Sequence, residues 1–182
     1  MAKSRVPLML RASFTSTTTE QPSYESVNID LSAYVDALSG KVLKVNKVTF
    51  VTDDGSGEPL GFASFDGSFG GTWVQQLVTG TQTAIKGAND DRVVAGMFTS
   101  AALAYKGGDA APVGTGVIWT YTGTMLVPDA GFYVAADNLT FAAQHKLDID
   151  VSARHICVIE AERVKLTPAD VNFLLVNQTL TG

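Results

Sequence analysis

The chain has 182 residues, of which 46% are hydrophobic and only 17% charged, with a formal net charge of −5. That length suits one domain with a sizeable core, and the charged share lies well below the roughly 25% of ordinary globular proteins. The acidic balance argues against nucleic-acid binding by the whole surface, and the single cysteine, Cys157, rules out an intrachain disulfide. No stretch approaches the roughly 18 apolar residues of a membrane helix, and Val6–Leu10 is too short for a signal-peptide core of roughly 7–15 residues.

Residues 1–11 carry Lys3, Arg5 and Arg11 and no acid, leaving ten basic against 18 acidic residues in the rest. A short basic arm on an acidic body is expected over residues 1–20, followed by one domain over 21–182. The arm has enough charge for a weak contact with a genome, an inner membrane or an acidic neighbour. Ala12–Glu20 (ASFTSTTTE) suits an exposed edge strand, or an arm that orders on a partner. In Ser26–Leu31 (SVNIDL), Val27, Ile29 and Leu31 alternate on one face. Leu31, Tyr34, Val35 and Leu38 then fall at helical spacing before Gly40, so a short helix with a glycine C-cap is expected there. Lys41–Thr52 reads as a strand ending at Asp53-Asp54-Gly55. Its apolar phase slips between Val45 and Val48, which a bulge near Asn46-Lys47 would reconcile.

The middle third is rich in glycine. Leu60–Phe65, Thr72–Val78, Thr81–Lys86, Arg92–Leu103 and Val117–Val127 read as strands, although the alanines of Arg92–Leu103 would also suit a helix, and Gly107–Gly116 reads as a long loop. Gly131–Ala136 and Leu139–Ala143 flank Asp137-Asn138, a compact hairpin signal. The run Leu147–Leu166 has no glycine or proline. Odd positions Leu147 to Ala153, then Cys157, Ile159 and Ala161, are apolar, and Asp148, Asp150, Ser152, Arg154, Glu160 and Glu162 are polar. Ile156–Ile159 breaks the rule with four apolar residues in a row, which calls for cover on both faces by the core and by a terminal helix or a neighbouring subunit. The phase flips after Glu162, because Val164 and Leu166 are even, so a bend or bulge is expected there. Thr167-Pro168-Ala169-Asp170 supplies an N-cap, a first-position proline and an acid in the first turn of a helix ending near Gln178. Eight to ten strands without βαβ alternation indicate an all-β jelly-roll β-sandwich with a short C-terminal helix.

Signals for chemistry are weak. His155 and Cys157 share a strand face, but a zinc site needs more ligands than His145 can add, so a core cysteine beside a hydrogen-bonded histidine is the simpler reading. Asp148, Asp150, Ser152, Asp129 and Asp137 lack calcium-loop spacing and suit a solvated face. No G-x-S-x-G, Walker A or dinucleotide fingerprint occurs, and Glu160 and Glu162 lie on one side of one strand rather than opposed across a cleft. No enzyme activity, cofactor or metal is expected. Phe69, Trp73, Trp119 and Tyr121 would suit either a sugar-binding face or the core. The residues singled out for assembly are Lys3, Arg5, Arg11 and Phe14 at the start of the chain, with Ile156 and Val158 in the late strand.

The Thr-rich start, the early strands SVNIDL and KVLKVNKVTFV, the loop-broken middle and the strand-to-helix end HICVIEAERVKLTPADVNFLL together resemble, in plan, the small single jelly-roll major capsid proteins of tailless icosahedral double-stranded DNA viruses of archaea and bacteria. That resemblance implies two four-stranded sheets and a viral coat subunit that forms capsomers with copies of itself. It also implies contact with other capsid proteins, location in the virion, and no small-molecule substrate. The modest acidity does not suit an extremely halophilic host. Two other readings are a filament or surface-layer subunit that donates Ala12–Glu20 to a neighbouring sheet, and a carbohydrate-binding sandwich with an exposed aromatic row near Trp73 or Trp119.

Overall fold

The computed structural model describes residues 7–16, 23–57, 70–104, 117–125, 127–145 and 153–179, with the backbone alone at 23, 70–72, 100–104, 117–125 and 179. Among these residues nine strands form two antiparallel sheets: β1 (Leu8–Ser16), β2 (Ser23–Asp30), β3 (Lys41–Asp53), β4 (Gly70–Thr79), β5 (Val93–Ala104), β6 (Val117–Met125), β7 (Phe132–Val134), β8 (Asn138–His145) and β9 (Ala153–Lys165). The first sheet has the order β1-β9-β3-β7 and the second β2-β8-β4-β5-β6. The pairings are nested: β1 with β9, β2 with β8, β3 with β7 and β4 with β5. Such a chain is one long hairpin folded over on itself, with β9–β3 and β8–β4 pairings knitting the turns together and β6 added beyond β5. The result is a jelly-roll sandwich.

Period-2 patterning decides which face each strand buries. In β1 the even residues Leu8, Leu10, Ala12 and Phe14 turn inward, and in β9 the odd residues Ala153, His155, Cys157, Ile159 and Ala161 do so. Val45, Val48 and Phe50 from β3 complete that inner face, against Val27, Ile29, Leu77, Leu139 and Phe141 from the second sheet. Phe141 is fully buried at the centre, with ring centroids 5.2 Å from Phe14 and 5.9 Å from Phe50. The expected bulge in β3 is present: the register against β9 shifts between Val45 and Lys47, which returns Val48 and Phe50 to the inner face.

Beyond β9, the C-terminal helix α1 (Pro168–Thr179) begins as the sequence indicates. The Thr167 hydroxyl accepts from the Asp170 N–H at 3.3 Å and donates to the Asp170 carboxylate at 2.6 Å. Val171, Leu174 and Leu175 pack on Val42, Ala135, Tyr133, Val164 and Leu166, a second apolar cluster on the outer side of the first sheet. This cluster accounts for the phase flip of β9. The strand stays in register with β3 through Val42↔Val164 and Lys41↔Lys165, so there is no bulge in β9 at that point. What changes is which face is covered. Gly40, with φ of +78°, lets the start of β3 pass under this corner; its carbonyl accepts from the Leu166 N–H at 2.9 Å, and a Cβ there would lie 2.6 Å from the Leu166 carbonyl oxygen.

Several expectations are corrected. Within the segment expected as an arm over 1–20, Leu8–Ser16 is β1, an edge strand of the protein's own first sheet. Leu31–Leu38 is a turn leading to a 3-10 turn at Ala37–Ser39, because the Asp36 side chain caps Ser39 and its backbone bridges to Lys41; Leu38 is fully exposed instead of joining a buried stripe. Asp137-Asn138 does not close a hairpin: β7 pairs in the first sheet and β8 in the second, so that turn carries the chain across the sandwich. Thr81–Lys86 is not a strand. Side chains bond its backbone at two points: the Gln76 amide accepts from the Lys86 N–H at 2.9 Å and donates to the Lys86 carbonyl at 3.0 Å, and the Tyr24 hydroxyl donates to the Gln82 carbonyl. Leu60–Phe65, Gly107–Gly116 and the Leu147–Ser152 start of the long run lie outside the described residues.

Candidate functional site

The outer face of the first sheet is built from the residues that patterning turns away from the core. β1 contributes Met9, Arg11, Ser13 and Thr15; β9 contributes Arg154, Ile156, Val158, Glu160 and Glu162; β3 contributes Lys47, Thr49, Val51 and Asp53. Register sets Ile156 between Ser13 and Val51, and Val158 between Arg11 and Thr49. Ile156 and Val158 are half-buried among these neighbours, while Met9 and Val51 stay 48% and 43% exposed. Ion pairs fence the strip: Lys47–Glu160 at 3.6 Å and Lys44–Glu162 at 3.7 Å on one side, Arg154 bidentate to Asp53 at 2.9 and 2.8 Å on the other. The Arg154 guanidinium holds the Asp53 carboxyl below its ordinary range. Helix α1 covers Val164 and Leu166 but does not reach Ile156 or Val158.

A second apolar group sits on α1 itself. Val171, Leu174 and Leu175 face the sheet, yet Phe173 and Val176, one turn apart on another side, are 66% and 50% exposed, and Leu38 in the neighbouring turn is fully exposed. A helix with apolar residues on two sides has more to cover than its own sheet supplies. Near its end, the Gln178 side chain accepts from the Ala135 N–H at 3.0 Å and donates to the Tyr133 carbonyl at 2.6 Å. It thereby occupies the outward hydrogen-bonding groups at the β7 edge, which would otherwise invite another strand.

Of the residues singled out from sequence, Arg11, Ile156 and Val158 come together on the outer face. Phe14 does not join them: it faces inward, against Phe141 and His155. Lys3 and Arg5 lie outside the described residues. Trp73 is half-buried on the inner side of β4, opposite His145; Phe69 and the side chains of Trp119 and Tyr121 fall outside the described residues.

Beneath that face, at the β9 start, a polar cluster joins the two sheets. His155 on β9 and His145 on β8 are 0% and 3% exposed, with their Nε2 atoms 2.9 Å apart. The Gln75 amide nitrogen, from β4, lies 3.0 Å from His155 Nδ1 and 3.4 Å from the Val51 carbonyl. Thr52 Oγ1 is 3.4 Å from the same Nδ1. The Val51 oxygen can only accept, so the group facing it is the amide NH2, whose other hydrogen goes to His155 Nδ1. His155 then carries its hydrogen on Nε2 and donates to His145 Nε2, and His145 carries its own on Nδ1. Burial pushes His145 down to about 4 despite the field of Glu25, and His155 down to about 3, with the neighbouring imidazole adding to the effect. Burial pushes the Cys157 thiol up to about 12, which keeps it un-ionised. The cysteine is the buried, inert one of the simpler reading.

Glu160 and Glu162 each have a lysine partner on the same outer face, and Asp129 and Asp137 are exposed at separate turns. Among the described residues no group of three or more His, Cys, Asp or Glu side chains stands where it could hold a metal ion, and no helix is long and apolar enough to cross a membrane. The buried, hydrogen-bonded glutamines 75, 76 and 178 are polar groups of the interior that sequence reading did not single out. No protein-family model matches the chain, and no curated protein matches it.

Proposed function

We propose that the protein is a coat subunit that assembles with copies of itself into a viral shell. The observation that carries this reading is the apolar surface left uncovered on one side of the jelly roll: Met9, Val51, Ile156 and Val158 on the sheet, and Phe173, Val176 and Leu38 around the helix. Ordinary monomers scatter such residues singly, whereas contiguous groups rimmed by charge mark contact surfaces. The rim of opposite charges suits register between neighbours more than raw affinity. The jelly roll itself is shared by capsid proteins, lectins and cupins, so it favours the reading without carrying it. On this reading the contacts are made in capsomers, and the basic residues Lys3, Arg5 and Arg11 are available to a genome, a membrane or a neighbouring subunit.

The test is mass in solution by light scattering, followed by electron microscopy, on the full chain over a range of concentration and salt. Hexamers, sheets or particles are expected. A monodisperse monomer at millimolar concentration would sink the proposal, and glycan binding by that monomer would favour a carbohydrate-binding module instead.

A further inference from the structure

The histidine pair has no free basic lone pair. His155 Nδ1 accepts from the Gln75 amide and His145 Nε2 accepts from His155 Nε2–H; the other two ring nitrogens carry hydrogens. A proton added to His145 Nε2 faces the His155 N–H across 2.9 Å. If the hydrogen between the rings shifts instead, the new N–H appears at His155 Nδ1, loses the bond from the Gln75 NH2 at 3.0 Å and is left with the Thr52 hydroxyl at 3.4 Å as a long, weak acceptor. Turning that amide over would offer Oε1, which has no hydrogen-bond partner among the described residues, but would set an oxygen against the Val51 carbonyl. Every route breaks a hydrogen bond and leaves a charge in a site that is almost wholly buried.

We propose that the His145–His155 pair is an acid-sensitive latch between the two sheets, closed while both rings are neutral and opened by uptake of a proton. The surroundings give the charge little help. Glu25 on β2 and Asp53 on β3 are the carboxylates whose fields reach the pair, and Asp53 is already neutralised by Arg154. From β9 comes Cys157, which stays un-ionised; β1 presents Phe14, and β4 presents Gln75 and Trp73, none of them charged. The latch is a property of the fold and does not depend on the coat reading.

In the unfolded chain both imidazoles titrate near 6.5, well above their folded values. Stability from the pair is therefore complete above that pH and is lost as pH falls from there toward the folded values. Denaturant unfolding of the full chain between pH 7.5 and 5 stays above the carboxylate range. Toward the acid end of that window the unfolding equilibrium constant is expected to rise about a hundredfold per pH unit, tenfold for each histidine. His155→Gln keeps an acceptor for Gln75 and a donor for His145 while removing one basic nitrogen, so the rise is expected to fall to about tenfold per pH unit. An unchanged slope in that variant overturns the proposal. Nitrogen-15 spectra of the labelled wild-type protein decide the matter if the variant does not fold. One bare nitrogen per ring, at Nδ1 of His155 and Nε2 of His145, unchanged from pH 7.5 to 5 in the folded signals, is the expected result. Titration of either ring near pH 6.5 in the folded protein overturns the latch.

Discussion

At one end of the sandwich the sheets meet through Leu31, Leu43, Val45, Val134 and Leu139; at the other they meet through His155, His145 and Gln75. Both ends are closed to solvent, but they are held by different physics. The leucine end relies on removal of apolar area from water, which has no direction and no dependence on protonation. The histidine end relies on a chain of directed hydrogen bonds that is satisfied for one arrangement of hydrogens only. Such a network gives specificity while intact and is costly when half-broken. Burial alone does not say how an interface will respond to its surroundings; the chemistry of what is buried does.

Substitutions can break this comparison in order of expected effect. Phe141→Ala, at the centre where the two ends join, is expected to cost about 3–5 kcal/mol through the cavity it leaves beside Phe14 and Phe50, measured by denaturant unfolding. Leu139→Ala, at the leucine end, should cost about 2–5 kcal/mol, with the same penalty at pH 7.5 and pH 5.5. His145→Ala removes the acceptor for His155 and should cost about 1–3 kcal/mol at neutral pH, with the penalty shrinking as the pH falls. Equal pH sensitivity at the two ends would erase the distinction. Gln178→Ala strips partners from the Ala135 N–H and the Tyr133 carbonyl and should cost about 1 kcal/mol, read as a lower thermal midpoint. Phe173→Ser should change stability by less than about 0.5 kcal/mol, since the ring is 66% exposed, while lowering the apparent mass in light scattering if the helix surface is where copies meet.

The leucine end was far more legible in sequence than the histidine end. Alternation in SVNIDL, KVLKVNKVTFV and the late run places Val27, Ile29, Val45, Cys157 and Ile159 on the inner face, where they are found. The phase slip at Asn46 correctly indicates a bulge, and Thr167-Pro168 correctly starts a helix. Alternation fails where one element is covered from two sides in turn: Val164 and Leu166 look like a bend in β9 and are instead the floor of α1. It fails again at Asp137-Asn138, because a turn's residues fix its local shape but not which sheet the next strand enters. His145, His155 and Gln75 sit on three different strands, and nothing in their spacing brings them together. Only tertiary pairing does. The outer face lies between these cases: Ile156 and Val158 stood out as excess apolar residues, while Met9 and Val51 needed the register to join them.

The nested pairing has a consequence for how the protein is made. β1 leaves the ribosome early, yet among the described strands its only partner in the sheet is β9, which emerges far later. At about 5–20 residues per second the delay is on the order of ten seconds. Through that interval the strand bearing Leu8, Leu10 and Phe14 has no neighbour in its own sheet. Among the described strands, only β4–β5 and β5–β6 join neighbours in the chain and can close soon after synthesis, and β3–β7, β2–β8 and β1–β9 follow in that order. The jelly roll is thus completed from its middle outward, and a nascent chain stalled before Ala153 would hold an unpaired β1 edge open to any other chain translated beside it.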